Sequence, residues 1–305
     1  PLLPLFPSSP SKGEEGKGDE GLQVMRVGLH LSIGRGLKKT AEKAFVTGCQ
    51  ALQIFSGNPM GWKPSSHDAA DVAGFRQVLD EHDIAPVFLH TPYLVNPAAP
   101  NPEIWGKSVQ TLVSALALAE ELGASYVVTH LGSHVGTGME AGVDRLVEAI
   151  TEVLGDSPGP MLLLENSPGS RNELGSYFEE FGYIVERLAP VRSRLGVCLD
   201  TAHLWGAGYD LSTPSAVEQT LAEFDRLVGL DRLHGVHAND STLERGAHRD
   251  LHTIPGEGKI GIDGFSALVR TPELAGMSYI LELPRTSDEE CIPVLARFRS
   301  MALTG

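Results

Sequence analysis

Eight short apolar runs alternating with amphipathic stretches, a near-constant repeat length, and histidines or carboxylates closing most of the runs predict a single-domain (β/α)8 barrel. Hydrophobic residues make up 42% of the 305 positions and charged residues 21%, a globular balance that excludes disorder over most of the length. The chain is long enough for one large α/β domain. No stretch approaches the roughly 20 continuous apolar residues of a bilayer span, so no membrane association is expected. Residues 1–23 are rich in Pro, Gly, Ser and acids, a composition that cannot bury enough apolar surface to offset the entropy of ordering. They are assigned to a disordered tail, and residues 24–305 to the barrel.

Strands are predicted at residues 25–30, 51–55, 86–90, 125–130, 161–165, 195–200, 232–237 and 278–283, each a run of Val, Ile, Leu, Phe or Met. Most are continuous rather than alternating, which suits a parallel sheet covered by helices. Helices are predicted between them at 37–47, 69–82, 103–122, 139–153, 173–188, 214–228 and 263–269, with a last one at 288–301. Leu112, Val113, Leu116, Leu118 and Leu122 form a helical stripe, and Thr213-Pro214 places a capping residue before a proline at the first helical position. A doubly wound sheet alternates in the same way, but eight units of roughly 35 residues match the repeat of a (β/α)8 barrel.

Cys49, Cys198 and Cys291 are far apart and outside any Cys-x-x-Cys pair, which argues against a disulfide framework or a thiolate metal site. Prolines break the apolar residues of positions 1–10, so no secretory signal is read there. The expected location is the cytoplasm, with nucleoid association in a bacterial cell. Against 24 basic residues stand 39 acidic ones, a formal charge of −15, and that balance weighs against a nucleic-acid partner.

Six predicted strands end on or next to His90, His130, Glu165, Asp200, His237 and Glu282. One such residue is explained by a hydrogen-bonded strand end. Six in succession are not, because the C-terminal strand ends of a barrel open on one face and converge on one pocket. His203, three after Asp200, and the Asp250-Leu-His252 pair enlarge the set to five histidines and four carboxylates. Imidazole and carboxylate without thiolate are donors for borderline divalent metals, and nine groups can hold two or three ions.

The segments His90-Thr-Pro-Tyr-Leu-Val-Asn, Thr129-His-Leu-Gly-Ser-His, Leu164-Glu-Asn-Ser-Pro-Gly, Gly196-Val-Cys-Leu-Asp-Thr-Ala-His203, Val236-His-Ala-Asn-Asp240 and Asp250-Leu-His252 resemble the endonuclease IV family of abasic-site DNA-repair enzymes. So do Pro255-Gly-Glu-Gly-Lys-Ile-Gly261 and Ile280-Leu-Glu-Leu283. The resemblance implies a (β/α)8 barrel, probing of double-stranded DNA containing abasic sites by a monomer, and three zinc ions, one exchangeable for manganese. It implies a first zinc on His90, His130 and Glu165, a second on Glu165, Asp200, His237 and Glu282, and a third on His203, Asp250 and His252. The implied reaction is hydrolysis of the phosphodiester 5′ to the lesion by metal-activated hydroxide, with Glu165 catalytic, leaving 3′-OH and 5′-deoxyribose phosphate. The rival is a metal-dependent sugar isomerase or epimerase of the related barrel group, for which His203, Asp250 and His252 have no evident task.

Among expected DNA contacts, the resemblance points to Tyr93, His30, Lys259 and the Ser56–Trp62 loop with Met60 and Trp62. Met60, Thr242 and Leu251 stand where the family usually carries arginine, lysine and arginine. Met60 either wedges into the duplex or packs with Trp62 on the barrel. With these cations missing, recognition is expected to lean on the metals, which convert a pocket of four carboxylates to a net charge of about +2 when three divalent ions are held.

Overall fold

The computed structural model describes residues 25–155, 158–284 and 287–303. The tail assigned to residues 1–23 lies outside them. The chain runs β1 (Arg26–Leu31), α1 (Leu37–Thr47), β2 (Ala51–Phe55), α2 (Ala69–Glu81), β3 (Val87–His90), α3 (Pro102–Leu122), β4 (Tyr126–His130), α4 (Met139–Leu154), β5 (Met161–Glu165) and α5 (Phe178–Arg187). It continues with β6 (Leu195–Asp200), α6 (Thr201–Ala207), α7 (Pro214–Leu227), β7 (Leu233–His237), a hairpin of β8 (Asp240–Ser241) and β9 (His252–Thr253), α8 (Gly261–Arg270), β10 (Ser278–Leu281) and α9 (Asp288–Ser300). Strands β1 to β7 and β10 close a barrel in which neighbours follow chain order and β10 pairs with β1, all in parallel. This is the expected (β/α)8 barrel.

Local chemistry explains the element ends. Asn101 caps α3 ahead of Pro102, and Gly123 closes it in the left-handed region, where a side chain would be strained. Asp68 caps α2 and Thr213 caps α7, while Ser287 and Glu290 form a reciprocal capping box on α9. Inside the barrel Ala51, Phe88, Val128, Leu163, Cys198 and Ile280 form a plug, and the larger core lies between the strands and the helix ring. Gly28 lets β1 sit against β2, since a Cβ there would lie 1.9 Å from the Ala51 carbonyl oxygen. The polar strand ends therefore rest on a filled barrel.

Besides the unexpected β8–β9 hairpin, three elements differ from the sequence expectation. Helix α5 begins at Phe178 instead of 173, because Leu174 N–H bonds the Gly132 carbonyl and Ser133 bridges Glu173, tying the segment to the loop after β4. Helix α6 is absent from the expected set: its seven residues are all buried and show no amphipathic stripe. Strand β10 stops at Leu281, so Glu282 follows the strand, its N–H donated to the Asn239 side chain at 2.9 Å.

Candidate metal centre

The mouth of the barrel collects the polar strand ends. His90, His130, Glu165, Asp200 and His237 finish β3 to β7 in turn, and Glu282 follows β10. Asp200 also caps α6 by accepting the His203 N–H at 2.8 Å, which brings His203 over the same cleft. His252 reaches it from β9, with Asp250 two residues earlier. All of them but the deeper Asp200 and His237 line a cleft of about 560 Å³. A groove of about 630 Å³ between α7 and α8 lies on the outer helix ring and holds none of these groups.

Three overlapping groups have ligand atoms within 4.8 Å of one another: His90, His130 and Glu165; Glu165, Asp200, His237 and Glu282; and Asp200, His203 and His252. Glu165 joins the first two and Asp200 the last two. Asp250 stands beside the third, with its oxygens 2.9 Å from His252 Nε2 and 3.5 Å from His203 Nε2. Glu165 lies 2.9 Å from His90 Nε2 and 2.8 Å from His237 Nδ1.

Neighbouring acceptors decide which ring nitrogen faces the centre. His90 Nδ1 donates to the Thr91 carbonyl at 2.7 Å and His203 Nδ1 to the Asn166 carbonyl at 2.9 Å; a carbonyl only accepts, so Nε2 of each ring points inward. Asn239 Nδ2 donates to Asp200 Oδ2 at 2.7 Å and to Glu282 Oε2 at 3.2 Å. Asn166 grips the Asp200 backbone through its amide, accepting from N at 2.7 Å and donating to O at 3.1 Å.

Burial and charge work against each other here. Burial opposes ionisation of Glu165, but His130 and His237 outweigh it and hold the carboxyl well below the usual range. Burial likewise opposes charge on His252, yet Asp200 and Asp250 raise it to about 9. The His203 imidazole is raised by Asp200 and Asp250 against the same penalty. Desolvation dominates at His130, which falls to about 4. His203 Nε2 and His252 Nε2 are buried without a hydrogen-bond partner, although each faces Asp250. Unsatisfied imidazole nitrogens beside carboxylates, with no thiolate, fit a borderline divalent cation.

The sequence compares accordingly. Residues 41–299 match the family model described as xylose isomerase-like TIM barrel. A relative from Halothermothrix orenii, "Probable endonuclease 4", is 40% identical over 278 residues, covering 90% of this chain and all of the relative. One of the same name from Cenarchaeum symbiosum is 39% identical, covering 91% of this chain and all of its own. The chain belongs to the endonuclease IV family. The crystal structure of endonuclease IV from Thermus thermophilus superposes with a TM-score of 0.80 at 36% identity, over 90% of this chain and 98% of that one. A D-tagatose 3-epimerase-like protein, with a TM-score of 0.68 but 20% identity over 92% of this chain and 98% of its own, shares the fold.

In this endonuclease IV family member the expected DNA contacts divide. Tyr93 is 60% exposed at the rim of the cleft, its ring edge-on to Phe55, and desolvation raises its hydroxyl to about 12. Met60 is 69% exposed, so it does not pack on the barrel. Trp62 does: it lies against the core with Lys107 Nζ over its ring, facing α3 instead of the metal cleft. His30 is directed inward, donating from Nδ1 to Glu282 at 2.8 Å. Lys259 pairs with Glu244 at 2.6 Å.

Gln53, Asn166 and Asn239 carry much of the positioning and stand outside the candidates that the sequence supplies. For Gln53 a signal existed, an amide in the middle of the apolar strand Ala-Leu-Gln-Ile-Phe. Asn166 and Asn239 stand in the motif segments directly after Glu165 and two after His237, but adjacency does not reveal a contact.

Proposed function

We propose that the protein is a metal-dependent abasic-site endonuclease, hydrolysing the phosphodiester 5′ to the lesion in double-stranded DNA to leave 3′-OH and 5′-deoxyribose phosphate. The observation that carries this reading is the overlap of three ligand groups through Glu165 and Asp200, with two buried imidazole nitrogens unsatisfied. Three zinc ions, one exchangeable for manganese, are assigned to His90, His130 and Glu165; to Glu165, Asp200, His237 and Glu282; and to His203, Asp250 and His252. When bound, they lower the pKa of water toward neutrality and stabilise charge on phosphate oxygens.

The chain's own residues prepare that chemistry. Glu165, buried between His90 and His237, is the catalytic carboxylate that orients the attacking water. Carbonyls of Thr91 and Asn166 hold the His90 and His203 rings with Nε2 inward, and Asn239 keeps Asp200 and Glu282 apart yet aligned. Tyr93 and Met60 present exposed surface to the duplex beside the lesion. The barrel acts as a monomer.

Incubation of purified protein with a duplex holding one abasic analogue, with and without chelator, tests the reading. Chelator-sensitive cleavage immediately 5′ to the lesion, leaving 3′-OH, is expected. Intact DNA at full metal occupancy would overturn it.

A further inference from the structure

We propose that Gln53 is a positioning residue of the metal centre: it fixes the tautomer of His237 and anchors Glu282, so that Nδ1 of one and Oε2 of the other face the same group of ligands. This rests on the metal-dependent reading above but concerns a residue outside the nine donors. Gln53 sits at the centre of β2, flanked by Leu52 and Ile54, and is 0% exposed. Side chains alternate along a strand, so Gln53 shares the inward row with Ala51, part of the barrel plug, and Phe55, which lines the cleft. It occupies the layer between apolar floor and metal site.

Both ends of its amide are used. Its Nε2 lies 2.8 Å from Glu282 Oε1, and its Oε1 lies 2.8 Å from His237 Nε2. A carboxylate only accepts, so the NH2 group must face Glu282. That leaves the amide oxygen facing His237, whose Nε2 must then carry the hydrogen. Nδ1 lies 2.8 Å from Glu165 Oε1 and 3.9 Å from both Asp200 Oδ2 and Glu282 Oε2; it donates to Glu165 while no metal is held, and because Gln53 keeps the hydrogen on Nε2, the Nδ1 hydrogen is the one a metal would displace. Were the amide reversed, an oxygen would oppose the Glu282 carboxylate and the hydrogen on His237 would move to Nδ1, against the metal-facing side. His30 Nδ1, 2.8 Å from the same Glu282 oxygen and 3.1 Å from Gln53 Nε2, makes a second donor to Oε1, while Oε2, approached by Asn239 Nδ2 at 3.2 Å, faces the group of ligands. From one strand, Gln53 thus links ligands on β7 and after β10.

The test uses the full chain loaded with zinc, read by metal content after gel filtration, chelator competition, and nitrogen-15 spectra of the histidines. Gln53→Leu keeps the approximate volume and removes both bonds. We expect it to lose about one metal per chain, to show 10–100-fold weaker metal retention, and to lose the Nε2–H signal of His237. Gln53→Glu keeps an acceptor for His237 and removes the donor to Glu282, so the tautomer should survive while metal retention falls. A purely structural role changes thermal stability without this split between variants. Wild-type retention and an unchanged His237 signal in Gln53→Leu overturn the proposal. If that variant does not fold, wild-type metal retention in Gln53→Glu does so. Failure of the wild-type protein to cut abasic DNA defeats the functional reading alone, since the metal and tautomer readouts do not depend on cleavage.

Discussion

Glu165 and His252 show how individual side chains divide the work. Glu165 touches His90 and His237 from its two oxygens, so replacing its carboxylate with the isosteric amide, Glu165→Gln, keeps shape and removes charge. At matched metal content that variant should bind an abasic duplex within about threefold of wild type, while single-turnover cleavage falls by about 100-fold or more; near-normal cleavage would defeat its catalytic assignment. His252, raised to about 9 from 6.5, is protonated at pH 7.5 without metal, so zinc must expel that proton to bind. Metal affinity should therefore fall as pH drops, and calorimetric zinc titration at pH 7.5 should show proton release through an enthalpy that depends on the buffer. For the metal-free fold the sign is fixed by the upward shift: the stabilisation from His252 is complete below about 6.5 and is lost as pH rises through about 9. The six residues at the mouth from His90 to Glu282 were legible because ionisable residues at successive strand ends have few structural explanations. Gln53 was not, since an amide carries no charge and its role exists only through partners 184 and 229 positions away.

Among the elements, the loops after the strands hold the surprises. Asp240, at the start of the small hairpin, is fully buried and accepts backbone N–H groups from Gly256, Gly258, Ile260 and Gly261 at 2.9–3.1 Å. One carboxylate organises the glycine-rich loop that leads into α8. Asp240→Ala would leave several buried donors without an acceptor, each costing about 1–3 kcal/mol. The predicted outcome is destabilisation of at least about 3 kcal/mol, read from the urea midpoint; a loss below about 1 kcal/mol would mean the loop is held by other contacts. The eight barrel strands were readable because parallel, doubly covered strands are continuous apolar runs. Helix α6 and the β8–β9 hairpin were not, because seven buried residues and two-residue strands are too short to establish a period.

For the whole molecule, a formal charge of −15 describes the average surface and says little about the mouth. Arg35, Lys63, Arg171 and Arg249 stand exposed in the loops after β1, β2, β5 and β7, without an ion pair among the described residues. In the closed order of the barrel β1 and β5 lie on opposite sides, so the loops that carry these cations stand on both sides of the candidate metal cleft. Lys63 shares the loop of Met60, and Arg249 lies in the same connection as Thr242 and Leu251, while Arg35 and Arg171 come from other loops; none stands at a position where the resemblance places a cation, and composition could not reveal their placement. Each phosphate neutralised by such a group contributes about −0.9 to the slope of log K against log salt. Four contacts give a slope of about −3.6, well short of the value for 6–10 phosphates, and the remaining attraction must come from the metals. Binding of an abasic duplex measured between 50 and 200 mM salt should show that shallow slope. Replacing all four residues by Ala should flatten it markedly, leaving the part due to phosphates held at the metal centre, with metal content unchanged. A slope that stays steep in the quadruple variant would move the phosphate contacts elsewhere on the barrel.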